Sequence, residues 1–524
     1  MKINSTFTGD IVPRTTKWIY TATATGRDAA YTLISLFLLT YIQFAAPIGY
    51  VDGLRDPDLY AAQFGVISII VIIARIWDGL NDPIMGFIIE RAHFKMGKYK
   101  PWILIGAITN TAVMLVLFLA RPEGWGFVAL FGVFYLLWDI TYTMNDIGYW
   151  SMLPSLTSNE KERNNITTIM SIFISVGAFT VGGVVPMLVA GNAVEMYAAI
   201  AIAVSAVFLL SQLILVFFTK EHARDVEQEK ISRKTKFGDM FRLLKTNDQL
   251  RWITIVILIY YLGSNILNGL GLNYFYLTFD YTTGGSVQFM FTVMYAGGTI
   301  LAQFLFPLLI KFLKRNTLFL ISFIMMAIGY TAFFFVGTPF GGAPALGTGS
   351  PWMLYVLGII IFSGEGLFYL ILLIMMENTI EYNEWKTGER KEAVAFSLRP
   401  LTAKFASAAQ QGIVYLTLLV SGALTVTSFI SNLEVKMGLG ETLTSFDGTQ
   451  TLDATKENVQ LFANQAIAAG ENDMVILSAI MCLSPLLLFT AAFLIIRFLY
   501  KIDEKKYAEM VKDLKDRKAE QPQN

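Results

Sequence analysis

The 524-residue chain is 55% hydrophobic and only 15% charged, and its 40 basic and 40 acidic residues cancel. Soluble domains carry about 25% charged residues, so a water-soluble globule of this size could not cover itself, and the chain must use lipid as a solvent. The neutral balance supplies no basic field for nucleic acid. The single cysteine, Cys482, excludes an intrachain disulfide, and two histidines, His93 and His222, are too few for a histidine-ligated metal centre. The N-terminal stretch is mostly polar and lacks an apolar core with a small-residue cleavage site, so no secretory signal peptide is expected.

A spanning helix needs about 20 mostly apolar residues. Apolar runs between polar breaks predict twelve, and hence an all-α integral membrane protein. The first six are 28–50, 61–89, 102–120, 126–152, 166–190 and 194–219; the second six are 252–277, 288–310, 317–337, 352–376, 395–429 and 474–499. With both termini placed in the cytoplasm, 32 Lys and Arg fall in inner segments and 4 in outer ones. That asymmetry fits the positive-inside rule and an even number of spans.

A charged stretch at 220–251 separates the two halves. Phe237, Met240, Phe241 and Leu244 recur within it at helical spacing, which reads as an amphipathic surface helix. The expected organisation is an N-terminal six-helix bundle (1–219), the linker, a C-terminal six-helix bundle (252–500) and a cytoplasmic tail (501–524). Two such halves fit a transporter built from parallel repeats. Residues 425–473, with 7 acids and 2 bases, read as a solvated outer loop with a short helix near 457–469.

Acids inside spans are the informative residues, because an ionised side chain at mid-bilayer costs about 2.5–3.5 kcal/mol even on the lenient insertion scale. The second span contains Arg75, Asp78, Asn81, Asp82 and Pro83. Asp78 and Asp82 are i and i+4 and share a helix face. Their repulsion is relieved by a bound hard cation such as Na+, with Asn81 as a further oxygen ligand, or by a shared proton. The bland alternative is that Arg75 and Lys404 neutralise them as static pairs. The fourth span places Asp139, Tyr142, Thr143, Asp146 and Trp150 at spacings of 3 or 4. An acid beside aromatic rings suits a sugar, whose hydroxyls donate to the carboxylate while its C–H face stacks on a ring. An interfacial aromatic belt would explain Trp150 equally well but not Asp146. Arg27 and Asp28 open the first span, either as ligands or as a snorkelling interfacial pair. In the tenth span Glu365 stands out, and the stretch from Glu377 through Glu381 to Glu384 and Lys386 reads as a gate or charge latch.

Arg75-Ile-Trp-Asp78-Gly-Leu-Asn81-Asp82-Pro83 followed by Gly97-Lys-Tyr-Lys-Pro101-Trp102 resembles the glycoside–pentoside–hexuronide:cation symporters. Tyr142-Thr143-Met-Asn-Asp146 with Trp150 and Pro154, Thr246-Asn247-Asp248, and Glu381-Tyr382 to Lys386 extend the likeness over nearly the whole chain. The resemblance implies the major-facilitator fold and sugar uptake coupled to Na+ or H+. It implies a cation site at Asp78, Asn81, Asp82 and Thr143 with Lys404 nearby, and sugar contacts at Asp28, Tyr142, Asp146 and Trp150. Three positions depart from the pattern. Arg27 replaces a lysine, Ser171 an arginine and Tyr369 a tryptophan; Arg27 and Tyr369 are kept among the expected substrate contacts.

The expected protein is therefore a bacterial inner-membrane sugar symporter working by alternating access. Its partners would be a sugar or glycoside, a coupling cation and membrane lipid, with no nucleotide and no resident cofactor. No nucleophile elbow, paired metal ligands or phosphate loop points to an enzyme. Two rivals are a same-fold carrier of an amphiphile such as a lysolipid and a non-transporting membrane sugar sensor. Asp28 and Asp146 argue against the first, and the short linker and tail against the second.

Overall fold

The computed structural model describes residues 12–51, 54–91, 94, 96–157, 159–219, 237–340, 345–389, 392–470 and 473–520. The two histidines and most of the predicted linker, 220–236, lie outside the described residues. Six long helices come first: α1 (Arg14–Ala45), α2 (Pro57–Arg91), α3 (Lys100–Leu119), α4 (Trp125–Leu156), α5 (Glu160–Val189) and α6 (Ala193–Phe218). The short α7 (Phe237–Thr246) precedes α8 (Asp248–Phe279), α9 (Gly284–Phe312), α10 (Arg315–Gly337), α11 (Trp352–Thr387) and α12 (Glu392–Val420). The chain closes with α13 (Ala423–Leu439), α14 (Lys456–Ala468), α15 (Met474–Leu499) and α16 (Glu504–Glu520). Tyr50–Val51 pairs with Leu54–Arg55, and Leu443–Thr444 with Thr451–Leu452, as two small antiparallel hairpins.

Among the described residues, eleven helices are long and apolar enough to cross a bilayer. The predicted span 395–429 meets that test only when α12 and α13 are taken together, and the two are bent by 90°. The span therefore ends earlier than its hydropathy suggested. Gly422, at φ 70°, makes the turn between them, a backbone region that glycine enters without steric cost. The long helices keep large apolar side chains on their outer faces: Phe304 is 80% exposed and Phe312 78%. Such a surface is stable against lipid and not against water.

The chain forms two compact units, residues 1–233 with 425–469 and residues 234–424 with 470–524. In the first, α1 packs on α5 and α6, α3 on α4 and α6, and α2 on α4. In the second, α8 packs on α12 and α15, α10 on α11 and α15, and α9 on α11. Numbered as spans, the neighbours first–fifth, first–sixth, third–fourth, third–sixth and second–fourth recur six positions later. Each unit is the same helical arrangement, the repeat that the helix count alone could not reveal.

Without a hydrophobic drive between helices in lipid, packing relies on small residues that let backbones approach. A Cβ on Gly177 of α5 would overlap the Thr25 carbonyl of α1 and lie 3.2 Å from the Ala29 amide nitrogen. One on Gly106 of α3 would sit 2.7 Å from the Asn145 amide nitrogen of α4. Both contacts are with backbone, which cannot rotate aside.

In the expected outer loop 425–473 the short helix predicted near 457–469 is present as α14, but residues 425–469 are not a solvated loop throughout. They fold as most of α13, a hairpin and α14, and belong to the first unit. Glu434 is fully buried, and its two carboxylate oxygens each accept at 2.7 Å, from the amides of Gly191 and Ala193. Those amides open α6, where a helix has unpaired N–H groups and partial positive charge. Arg55 donates to the Ile48 carbonyl at 2.7 Å and to the Ser428 carbonyl at 3.0 Å, and the Tyr50 hydroxyl to Asn432 Oδ1 at 3.1 Å. The segment looked like a loop because its acidic residues were read as solvated, whereas Glu434 is a buried cap. A helix, α7, lies where the amphipathic one was expected; its Met240 and Leu243 are buried and Leu244 is half-buried.

Gly177→Val should force α1 and α5 apart and destabilise the protein by about 1–3 kcal/mol, the usual cost of overpacking. Thermal unfolding of the purified protein in detergent checks this; an unchanged midpoint would mean that the helices can separate freely.

Candidate functional site

Arg27 organises the first cluster. It lies in mid-helix on α1 and is 1% exposed. Its Nε and Nη2 donate to Asp28 Oδ2 at 3.0 and 2.7 Å, and its Nη1 lies 3.2 Å from Asp146 Oδ1 on α4. The guanidinium carbon stands 4.5 Å from the Tyr149 ring centroid and 5.1 Å from that of Trp150. One planar cation thus holds two carboxylates and touches two rings, which a lysine ammonium lacks the fork to do. This excludes the snorkelling reading, since the head group points into protein and not toward water. The Asp146 side chain remains 33% exposed and Trp150 39% exposed, so an acid and a ring stay open to a ligand.

The ring bed beneath is continuous. Tyr20 stacks on Tyr149 at 4.7 Å and donates to the Tyr149 carbonyl at 2.8 Å, and the Tyr149 hydroxyl donates back to the Tyr20 carbonyl. Along α4, Phe131, Tyr135, Trp138 and Tyr142 form a ladder of stacked rings 5.2–5.9 Å apart. Tyr31 of α1 closes on Tyr142 at 5.3 Å. The Tyr142 hydroxyl donates to the Arg27 carbonyl at 3.5 Å.

The second cluster joins α2 to α4. Arg75, Asp78, Asn81, Asp139 and Thr143 are all buried, and Asp82 is half-buried. Asn81 Nδ2 donates to Asp139 Oδ2 at 3.4 Å. Arg75 interacts electrostatically with Tyr135, Tyr31, Asp78 and Asp139. Asp139 is the residue that sequence reasoning left out of the cation set, because its spacing to Asp146 put both on one face. Seven residues is two turns, roughly 10 Å along the axis, so the two acids meet different neighbours. A mid-span acid two turns from another was the available signal. Tyr149, Tyr31 and Tyr135 were also missed, since single aromatics in an apolar helix carry no mark in the sequence.

Tyr369 and Lys404 belong to the second unit, on α11 and α12. The Tyr369 hydroxyl hydrogen-bonds that of Tyr261 at 2.8 Å, and its ring stacks on Tyr260 at 5.2 Å. Ser171 is exposed and donates to the Thr167 carbonyl of its own helix at 2.9 Å. In the Glu377–Lys386 stretch, the Lys386 ammonium meets Asp248 at 3.0 Å and the Tyr382 hydroxyl donates to the same carboxylate at 2.9 Å, a latch between α11 and α8. Among the described residues no group of three or more His, Cys, Asp or Glu has the geometry of a metal site.

This fold and this arrangement of acids and rings define a membrane transporter. The family model described as MFS/sugar transport protein matches residues 27–504, and the chain belongs to that family, within its glycoside–pentoside–hexuronide:cation symporter branch. It is 29% identical to a lactose permease of Leuconostoc lactis over 93% of this chain and 70% of that protein. It is 27% identical to a raffinose carrier protein of Pediococcus pentosaceus, covering 78% of this chain and 62% of that one. An isoprimeverose transporter of Lactiplantibacillus pentosus is 25% identical over 76% and 78%. The chain thus spans 70% of the lactose permease, 62% of the raffinose carrier and 78% of the isoprimeverose transporter. Among solved structures, a D-xylose-proton symporter superposes with a TM-score of 0.51 at 14% identity, over 76% of this chain and 88% of that one. A bacterial homologue of the human lysosomal transporter Spinster gives 0.53 at 14%, over 91% and 96%. Both show the shared fold.

Arg27→Met should leave two acids without their cation and cost about 3–5 kcal/mol, as breaking a buried ion pair does. Arg27→Lys should restore part of that stability but bind sugar several-fold more weakly, because one ammonium cannot orient Asp28 and Asp146 together. Thermal unfolding and sugar binding measured on both variants check this; equal behaviour of Lys and Arg would show that only the charge matters.

Proposed function

We propose that the protein is a cation-coupled symporter of a glycoside, working by alternating access. The observation that carries the reading is the Arg27–Asp28–Asp146 cluster beside Trp150. The open carboxylate of Asp146 accepts sugar hydroxyls and the Trp150 face stacks on a sugar ring. Arg27 acts by positioning: it fixes both carboxylates and their charge before sugar arrives. Tyr142 and Asp28 complete the polar lining. The names of the relatives, lactose, raffinose and isoprimeverose carriers, favour an oligosaccharide over a monosaccharide.

The coupling cation is assigned to the second cluster. Asp78 and Asp82 repel across one helical turn, Asn81 and Thr143 supply neutral oxygens, and a hard cation takes such ligands. Asp139 and Arg75 set the charge that the cation meets. By the family resemblance, Lys404 is assigned to cation coupling and Tyr369 to the sugar contacts. Cation and sugar each raise the other's affinity, as coupling requires, and each six-helix unit moves largely as a body. The basic asymmetry puts both termini in the cytoplasm of a bacterial inner membrane.

The test is sugar counterflow and accumulation in proteoliposomes, with a panel holding lactose, raffinose and melibiose. Asp78→Asn and Asp82→Asn should keep sugar exchange and lose gradient-driven accumulation. If both accumulate sugar as the wild type does, the pair is structural and the coupling reading is wrong. Orientation is checked separately: a cysteine at the exposed Thr451 should react with an impermeant thiol reagent in intact cells, and one at the exposed Glu509 should be shielded. The reverse pattern would invert the topology.

A further inference from the structure

One buried acid is used by none of this. Glu365 lies in the middle of α11 and is 3% exposed. Its Oε1 accepts from the Tyr330 hydroxyl of α10 at 2.6 Å, and its Oε2 from the Ser264 hydroxyl of α8 at 2.7 Å. The titratable groups around it are Tyr260 from α8, Tyr295 from α9, Tyr330 from α10 and, beyond Tyr330, the Cys482 thiol of α15. The Phe489 ring of α15 packs against Tyr260 and Tyr330. Among the described residues no lysine, arginine or histidine hydrogen-bonds or ion-pairs with Glu365. Phenols and thiols are neutral near pH 7, so no facing group offers a positive charge.

An ionised carboxylate so deeply buried, with hydroxyls as its hydrogen-bond partners and no cation paired to it, is strongly unfavourable. A carboxylic acid needs no cation, because it donates its proton to one hydroxyl and accepts from the other. The helices pack closely beside it. A Cβ on Gly364 would stand 3.0 Å from the Ser322 carbonyl, and one on Gly366 2.7 Å from the Ala302 Cβ, so α11 lies directly against α10 and α9 on both sides of the acid. Parting of these helices would open the acid to water. Glu365 is also tied to Tyr369, one turn away on the same face. The Tyr260 hydroxyl donates to the Glu365 carbonyl at 3.2 Å while the Tyr260 ring stacks on Tyr369.

We propose that Glu365 is a proton-binding site of the second unit, neutral while the helices around it are closed and releasing its proton to water when they open. The carboxylate left behind keeps the Tyr330 and Ser264 hydroxyls as donors until it is reprotonated. This inference rests on the reading of the chain as a cation-coupled sugar carrier and adds that one transported cation is a proton.

Two measurements test it. Infrared spectroscopy of the purified protein at neutral pH should show the C=O band of a protonated carboxyl that Glu365→Gln removes; no difference between the two would overturn the proposal. In proteoliposomes carrying a pH-sensitive dye, lactose or raffinose added to the wild type should move protons with the sugar. Glu365→Gln, a permanent mimic of the neutral acid, should exchange sugar but move no protons. If the wild type takes up sugar without moving protons, or Glu365→Gln moves them equally, the inference fails and the carrier reading stands. If the wild type exchanges no sugar of the panel, the carrier reading fails and the infrared band alone decides whether Glu365 holds a proton. Should Glu365→Gln not fold, Tyr330→Phe keeps the acid and removes one partner. It should shift both the band and the pH midpoint of exchange, and two unshifted values would overturn the proposal.

Discussion

The cost of negative charge in lipid governs this molecule, and Arg27 is where the first unit meets it. A carboxylate in a bilayer is tolerated when it faces a cavity, pairs with a cation or gives up its charge. The Arg27 guanidinium spans α1 and α4, binding Asp28 on its own helix and Asp146 on the other, with Tyr149 and Trp150 against its faces. Arginine suits the position because its planar fork is always charged and is less strongly hydrated than an ammonium. The arrangement leaves a net negative charge shared over two acids. The Asp146 side chain is the more exposed of the two, at 33% against 18% for Asp28.

That electrostatic core needs helices held in register, and the sequence solves this with glycine and buried polar pairs instead of bulk hydrophobicity. Gly177 lets α1 touch α5, and Gly106 lets α3 touch α4. Asn110 and Asn145 donate to the carbonyls of Trp138 and Ile103 across the α3–α4 contact at 3.0 and 2.9 Å. These bonds fix the height of α4, and with it the heights of Asp139, Tyr142 and Asp146. At the far end of α6, Glu434 performs the work usually done by a short capping side chain, reaching in from a distant part of the sequence. The first unit is therefore completed by residues that the chain supplies after its eleventh span.

Much of this was legible in the sequence, for identifiable reasons. Spans are set by a length of apolar residues, so eleven predicted spans match helices in the structure; the twelfth, 395–429, was misjudged where Gly422 turns the chain although the apolar composition continues. Mid-span acids announce themselves by their cost, and Asp78, Asp82, Asp146 and Glu365 stood out for that reason. What they pair with was not legible, because partners across helices depend on rotation and height. Asp139 was grouped with the sugar-facing residues by its spacing, yet it meets Asn81 and Arg75. Arg27 was read as either ligand or interfacial anchor, and only its place between two helices decides. The 425–469 segment looked like a solvated loop because polar composition cannot distinguish an exposed acid from a buried cap.

The two units solve the same problem with different chemistry. In the first, the acids within the spans stay close to arginines: Arg27 holds Asp28 and Asp146, and Arg75 acts on Asp78 and Asp139. A guanidinium beside a carboxylate balances its charge through charge-assisted hydrogen bonds or field. In the second unit Glu365 has only hydroxyl partners, within a shell of rings. Hydroxyl groups can serve either protonation state by reversing the donor, whereas a guanidinium can only donate and so would lock the acid in its ionised form. Had charge storage been the purpose, an arginine facing Glu365 would serve it better. The choice of Tyr330 and Ser264 leaves the acid free to change its charge, and the repeat relating the units places this variable acid on the tenth span, as Asp139 and Asp146 sit on the fourth. The fourth span thus carries acids beside guanidinium groups, and its counterpart in the other unit an acid held by hydroxyls.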